Sequence, residues 1–121
     1  MELNALDAAL SVCKVASVKD IDLGGNLYFI GRTDGELSLV CRTEAVPAHT
    51  VAREDGWRAF RVQGQLDFSL IGILAGLTAA LAEAKIGVFA VSTYDTDYIL
   101  VKAADFDRAR AALTAAGHTF A

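Results

Sequence analysis

The sequence predicts an α+β protein: a ferredoxin-like βαββαβ unit preceded by a smaller, mostly β subdomain. Three observations carry that expectation. Residues 70–84 repeat apolar side chains at three- and four-residue spacing, apolar runs of strand length stand on either side of them, and Asp34-Gly35 separates two further runs in the first half. Composition changes near Arg61, and the expected division places the subdomain at 1–56 and the larger unit at 57–121.

In the first half, Leu10 to Ala16 reads as a strand. Asn26 to Arg32 and Glu36 to Arg42 read as two more, joined through Thr33-Asp34-Gly35, where glycine accepts the positive φ of a tight hairpin turn. Pro47 ends this ladder, because it has no N–H to donate. Ala48 to Glu54 is expected to form a helical turn before Asp55-Gly56, and Trp57 to Gln63 a strand leading into the second half.

Ser69 is the expected N-cap of the first helix, its hydroxyl satisfying an N–H of the opening turn. Leu70, Ile73, Leu74, Leu77, Leu81 and Ala84 then form one apolar stripe, and the helix runs to about Lys85. Gly72, Gly76 and Ala80 lie on an adjacent face. Each glycine costs about 1 kcal/mol relative to alanine, so close packing against a backbone is the expected reason for them. Ile86 to Ser92 and Tyr98 to Lys102 are apolar strands with Thr93 to Asp97 as their turn. Asp105 is the expected cap of a second helix that faces Phe106, Ala109, Leu113 and Ala116 inward. Gly117 ends it, where a left-handed residue is wanted, and Thr119 to Ala121 make the last strand.

Charge and composition exclude several function classes. The 121 residues carry a net charge of −4 with lysines and arginines scattered, which disfavours binding to nucleic acid through its phosphates. The longest apolar run, Leu70 to Leu81, is broken by Gly72, Gly76 and Thr78 and is short of a membrane span. An N-terminus bearing Glu2 and Asp7 is unlike a signal peptide, so a cytoplasmic protein is expected. Cys13 and Cys41 sit in the apolar runs LSVCKV and LSLVCR, where a thiol behaves as a small buried hydrophobe. His49 and His118 have no metal-ligand spacing, and His118 is expected at the surface beyond the second helix. The expectation is therefore no metal, no cofactor and no catalytic residue.

The βαββαβ order gathers polar groups at one edge. A strand–helix–strand crossover is parallel and right-handed, so the strands ending near Gln63 and Ser92 finish on the side where the strand at Tyr98 begins. The loop 64–69, the start of the first helix and the turn 93–97 converge there. Leu70, Ile71 and Gly72 are expected to offer free N–H groups at the positive end of the helix dipole, which suits a carboxylate. Asp67, Asp95 and Asp97 suit an ammonium or a cationic side chain. Ser69, Thr93 and Thr96 supply neutral partners, and Tyr94 a ring wall. An amino-acid zwitterion matches both ends. The same aspartates are also ordinary turn formers, and a divalent cation is a further reading of them.

The stretch WRAFRVQGQLDFSLIGILAGLTAALAEAKIGVFAVSTYDTDYILVK resembles the ACT-domain family, a small regulatory module of amino-acid metabolism. The segments LDFS-x-x-GIL and STYDTDYILV carry the likeness, over roughly residues 57–117. Within the family the sequence is similar to small stand-alone bacterial ACT proteins and to the ACT repeats of CASTOR-type arginine sensors. The first half is similar to their divergent ACT-like N-terminal region. The resemblance implies a non-catalytic ligand sensor that reports through an interface, as a homodimer or with a partner protein. It places the ligand at Leu66, Asp67, Phe68, Ser69, Leu70, Ile71 and Gly72, with Thr93, Tyr94, Asp95 and Asp97 lining the same pocket and Asp97 facing a cationic group. CASTOR-type sensors are longer and duplicated, so arginine specificity does not follow.

Overall fold

A computed structural model describes residues 1–64 and 71–121. The chain divides into two compact units, one of residues Ala8–Trp57 and one of Met1–Asp7 together with Arg58–Ala121. Residues 1–7 are thus grouped with the second half of the chain, through one short strand. Glu2–Ala5 (β1) is four residues long and shows little alternation. It nevertheless pairs antiparallel with 60–62, Leu3 opposite Val62, and parallel with the chain's last strand.

The unit Ala8–Trp57 holds Leu10–Lys14 (β2), Tyr28–Arg32 (β3), Leu37–Arg42 (β4) and the first part of Ala52–Val62 (β5). Its strand order is β3-β4-β2-β5. The expected helical turn at 48–54 is replaced by strand: Ala52, Arg53 and Glu54 pair with Lys14, Cys13 and Val12. Asp55-Gly56 forms a bulge. Between the pairs Val12–Glu54 and Leu10–Trp57 the longer strand holds one extra residue, and Gly56 at φ +83° takes the conformation that absorbs it. Cys13 and Cys41 are free and buried in the cluster of Val15, Ile21, Leu37 and Leu39. Burial, and next to it the Cys13 thiol, pushes Cys41 up to about 11, so it stays protonated at neutral pH. Ser11 is fully buried and satisfied on both sides, donating to Asp55 Oδ1 at 2.6 Å and lying 2.9 Å from Thr43 Oγ1. The Ser11 hydroxyl and then the forked Arg53 guanidinium hold the Asp55 carboxyl below its ordinary range.

The second unit continues from Arg58 with Ile73–Glu83 (α1), Phe89–Ser92 (β6), Asp97–Lys102 (β7), Phe106–Ala115 (α2) and Thr119–Phe120 (β8). With the end of β5 this is the expected βαββαβ order. β7 lies between β5 and β6, and β1 is inserted between β5 and β8. One face of the sheet, through Leu3, Phe60, Val62, Ile99 and Val101, packs on Leu77 and Leu81 of α1 and on Phe106, Ala109 and Leu113 of α2. Arg108 on α2 donates to the carbonyl of Ala84 at 2.7 Å, placing a cation at the negative end of α1, and to Asp105 Oδ1 at 3.1 Å. Asp105 therefore receives an arginine instead of capping α2, for which it makes no side-chain bond.

α1 begins at Ile73, four residues after the expected cap at Ser69, which lies outside the described residues. Gly72 precedes it in the left-handed region at φ 82°, and Ile71 before it is 95% exposed. Nor does Gly76 pack against a backbone: a Cβ there meets nothing within 4 Å. Both helices close with the same motif. The N–H groups of Lys85 and Ile86 reach the carbonyls of Ala82 and Leu81, as those of Gly117 and His118 reach Thr114 and Leu113. Gly117 adopts φ 100° freely, whereas Lys85 holds φ 62° with a side chain. Lys85→Gly is therefore expected to raise stability by about 0.5–1 kcal/mol in urea titration, and a neutral or destabilising result contradicts it.

The two units share one local plan. Both hairpins close on a threonine: Thr33 N–H donates to Glu36 O at 3.0 Å and Thr93 N–H to Thr96 O at 2.8 Å. Each threonine hydroxyl accepts the N–H three residues on. Both third strands then run into a 3-10 turn, Thr43–Ala45 or Ala103–Asp105. After the second, Phe106 is helical (ψ −48°) and α2 follows. After the first, Val46 is extended (ψ 130°), because Pro47 behind it disfavours the helical region.

Candidate functional site

The end of β5, the end of β6 and the start of β7 meet, as the topology predicts. Ser92 pairs with Asp97 across the hairpin, and the turn between them is closed by its own hydroxyls. Thr93 Oγ1 donates to Thr96 O at 3.0 Å and accepts from Thr96 N–H. Thr96 is only 7% exposed, and its Oγ1 donates to the carbonyl of Val62 at 2.9 Å. That bond ties the turn to the last residue of β5, where the chain leaves the sheet toward α1.

The expected site residues divide into three groups. Leu66, Asp67, Phe68, Ser69 and Leu70 lie outside the described residues. Gly72 is the N-cap of α1 and Ile71 precedes it, so the opening N–H groups of the helix are those of Gly72, Ile73, Leu74 and Ala75. Thr93, Tyr94, Asp95 and Asp97 are all on the turn or at its foot. Tyr94 is 76% exposed, Asp95 is exposed, and half-buried Asp97 accepts from Ser92 Oγ at 2.7 Å.

The turn thus presents two carboxylates and an aromatic ring on a frame whose own polar groups are satisfied. That is the chemistry of a cation or ammonium acceptor. Ser92 is absent from the expected set, although it holds Asp97. Its signal is positional, since in a two-residue hairpin the residue before Thr93 must face Asp97. Among the described residues no three His, Cys, Asp or Glu side chains gather to hold a metal ion. His118 is half-buried beyond α2, with Nδ1 3.2 Å from the N-terminal amine of Met1. Burial and that neighbouring charge lower its pKa.

The ACT domain family model matches residues 52–115, from the start of β5 to the end of α2. The chain belongs to the ACT domain family. A crystal structure of an Agobacterium tumefaciens protein is similar over nearly the whole length: 32% identity, 99% of this chain and 91% of that one, TM-score 0.87. A Vibrio cholerae protein of unknown function, described as a possible transport protein, shares the fold at 20% identity over 95% of this chain and 88% of its own, TM-score 0.70. Aspartate kinase of Clostridium acetobutylicum, described as an allosteric enzyme, shares it at 11% identity over 94% of this chain, TM-score 0.67. This ACT protein spans only 34% of that kinase. No curated protein matches the sequence. An ACT domain points to a regulatory, small-ligand-binding role. No helix among the described residues is long and apolar enough to cross a membrane.

Proposed function

We propose that this chain is a non-catalytic, cytoplasmic ACT protein that binds an amino acid at the edge formed by residues 66–72 and the turn 93–97, working as a homodimer or with a partner protein that it regulates. One observation carries the reading: Thr96 fastens the Asp95- and Asp97-bearing turn to Val62, the last residue of β5. The carboxylates receive the ammonium or a cationic side chain, and the approach to α1 receives the carboxylate. Assembly then responds to ligand by linkage, in proportion to the difference in affinity between assembled and free states.

A thermal-shift panel of the twenty amino acids tests this. At about 100-fold excess over Kd, a ligand adds nearly 3 kcal/mol of stability. Asp97→Ala is expected to weaken binding about tenfold by calorimetry with little change in fold, because the residue is half-exposed and its partner Ser92 can turn to water. A flat panel, or equal affinities for the variant, overturns the assignment. The flat panel favours the second reading, an assembly module without a ligand.

A further inference from the structure

We propose that Cys13 and Cys41 form a two-coordinate site for a soft monovalent metal ion, Cu(I), inside the unit Ala8–Trp57. They are the chain's only cysteines, and the fold brings them together. Cys41 on β4 pairs with Ser11 on β2, and Cys13 follows two residues later on the same face of β2. The two side chains are therefore diagonal neighbours, and each thiol acts on the other as a hydrogen-bond partner. The site uses no residue of 66–72 or of the turn 93–97, and it stands whether or not an amino acid binds.

Diagonal neighbours on antiparallel strands stand about 7–8 Å apart at Cα. A disulfide over more than about 7 Å needs backbone movement, whereas one metal ion between the sulfurs spans the gap. Thiolates are soft ligands, which suits Cu(I). Zinc in a structural site takes four ligands, and among the described residues no third Cys, His, Asp or Glu gathers to begin such a set. Each cysteine is 3% exposed, and Val15, Ile21, Leu37 and Leu39 form an apolar shell that keeps water and oxidant from the metal.

Packing alone does not ask for a thiol at 41. In the second unit the residue two places before the 3-10 turn is Val101, and here it is Cys41. The shell also has a way in. Ile21, Ala45 and Val46 reach the cluster from the short turns Val18–Asp20 and Thr43–Ala45, where the second unit has α1 and α2. Such short segments open locally at lower cost than helices, which gives the ion an entry path. Binding exchanges two S–H protons for two S–Cu bonds, with no change of oxidation state, and leaves one net negative charge. Burial, with Asp55 adding to it, raises the pKa of both thiols, and Arg53, opposite Cys13 on β5, pulls both down. The same guanidinium balances the charge of the bound pair.

Titration of the reduced full chain with Cu(I) buffered by bicinchoninate tests the proposal. One ion per chain is expected to leave the chelator, with two sulfur neighbours in X-ray absorption. Cys41→Val places the second unit's residue there and keeps the packing; it is expected to weaken uptake about a hundredfold or more, with unchanged circular dichroism. Cys13→Ala is expected to do the same. Loading is expected to raise the urea midpoint of the unaltered chain and to leave that of Cys41→Val where it was. No transfer from the chelator, or equal transfer to both cysteine variants, overturns the proposal. So does a bound ion with nitrogen or oxygen neighbours in place of the two sulfurs.

Discussion

Phe60→Ala is expected to remove about 3–5 kcal/mol of stability, the usual cost of deleting a fully buried aromatic ring. Phe60 is 1% exposed at the centre of the sheet face that carries both helices. Its ring stacks on Phe106 at 4.7 Å and 8° between planes, and stands tilted against Phe120 at 5.4 Å. The Arg58 guanidinium lies 4.0 Å from the centre of the Phe106 ring and donates to the carbonyl of Leu6 at 3.0 Å. One deletion therefore opens a cavity under α2 and loosens β5, β8 and the residues after β1 together. Domains of this size hold about 5–15 kcal/mol in all, so a third or more of the margin is at stake. Urea titration with an unchanged slope checks the loss. Phe60→Leu keeps most of the volume and is expected to cost less than half as much. A Phe60→Ala cost below about 1 kcal/mol would show that the aromatic stack does not organise this core.

The same physics explains which elements were readable from the sequence. α1, α2, β4 and β7 announce themselves because each buries an apolar stripe or run inside one unit, and β6 shows the same apolar run although it half-buries only Phe89 and Val91. β1 buries only Leu3 and has no length over which a pattern can appear. The N-terminal half of β5 is exposed at every residue from Ala52 to Gly56, so no alternation marks it. Its strand character comes from backbone pairing with β2, which is a property of the partner. Gly56 uses its positive φ to absorb a bulge, which no spacing of apolar residues announces. The expected start of α1 is early because Leu70 continues the spacing of Ile73, Leu74 and Leu77, whereas the helix begins only after Gly72 in the left-handed region.

For the candidate site, topology carried more than residue chemistry. Strand order alone brings the end of β5 to the turn 93–97, and the bond from Thr96 to Val62 realises that neighbourhood. Which polar groups remain available is decided by local hydrogen bonds that composition does not reveal. Thr93 is engaged in closing the turn and Asp97 holds Ser92, whereas Asp95 is exposed. Turn formation and ligand recognition draw on the same residue types, so the sequence leaves both readings standing and the hydrogen-bond pattern begins to separate them.

Thr96→Val gives that separation its sharpest measurement, because valine keeps the shape of the side chain and removes only its donor. The carbonyl of Val62 then stays buried without the Thr96 hydroxyl, at an expected cost of about 1–3 kcal/mol. The two bonds that close the turn, Thr93 N–H to Thr96 O and Thr96 N–H to Thr93 Oγ1, involve backbone atoms of residue 96 and survive the change. The hairpin should therefore persist while its attachment to β5 weakens. Hydrogen exchange is expected to quicken at Thr96 and at the end of β5, with the centre of β7 little affected. Thr96→Ser, which loses a methyl group but keeps the hydroxyl, should retain the slow exchange that Thr96→Val loses. Equal stability and exchange in all three proteins would mean that strand pairing alone positions the turn. In that case Asp95 and Asp97 are held no more firmly than any exposed hairpin tip, and a site built on their placement loses its frame.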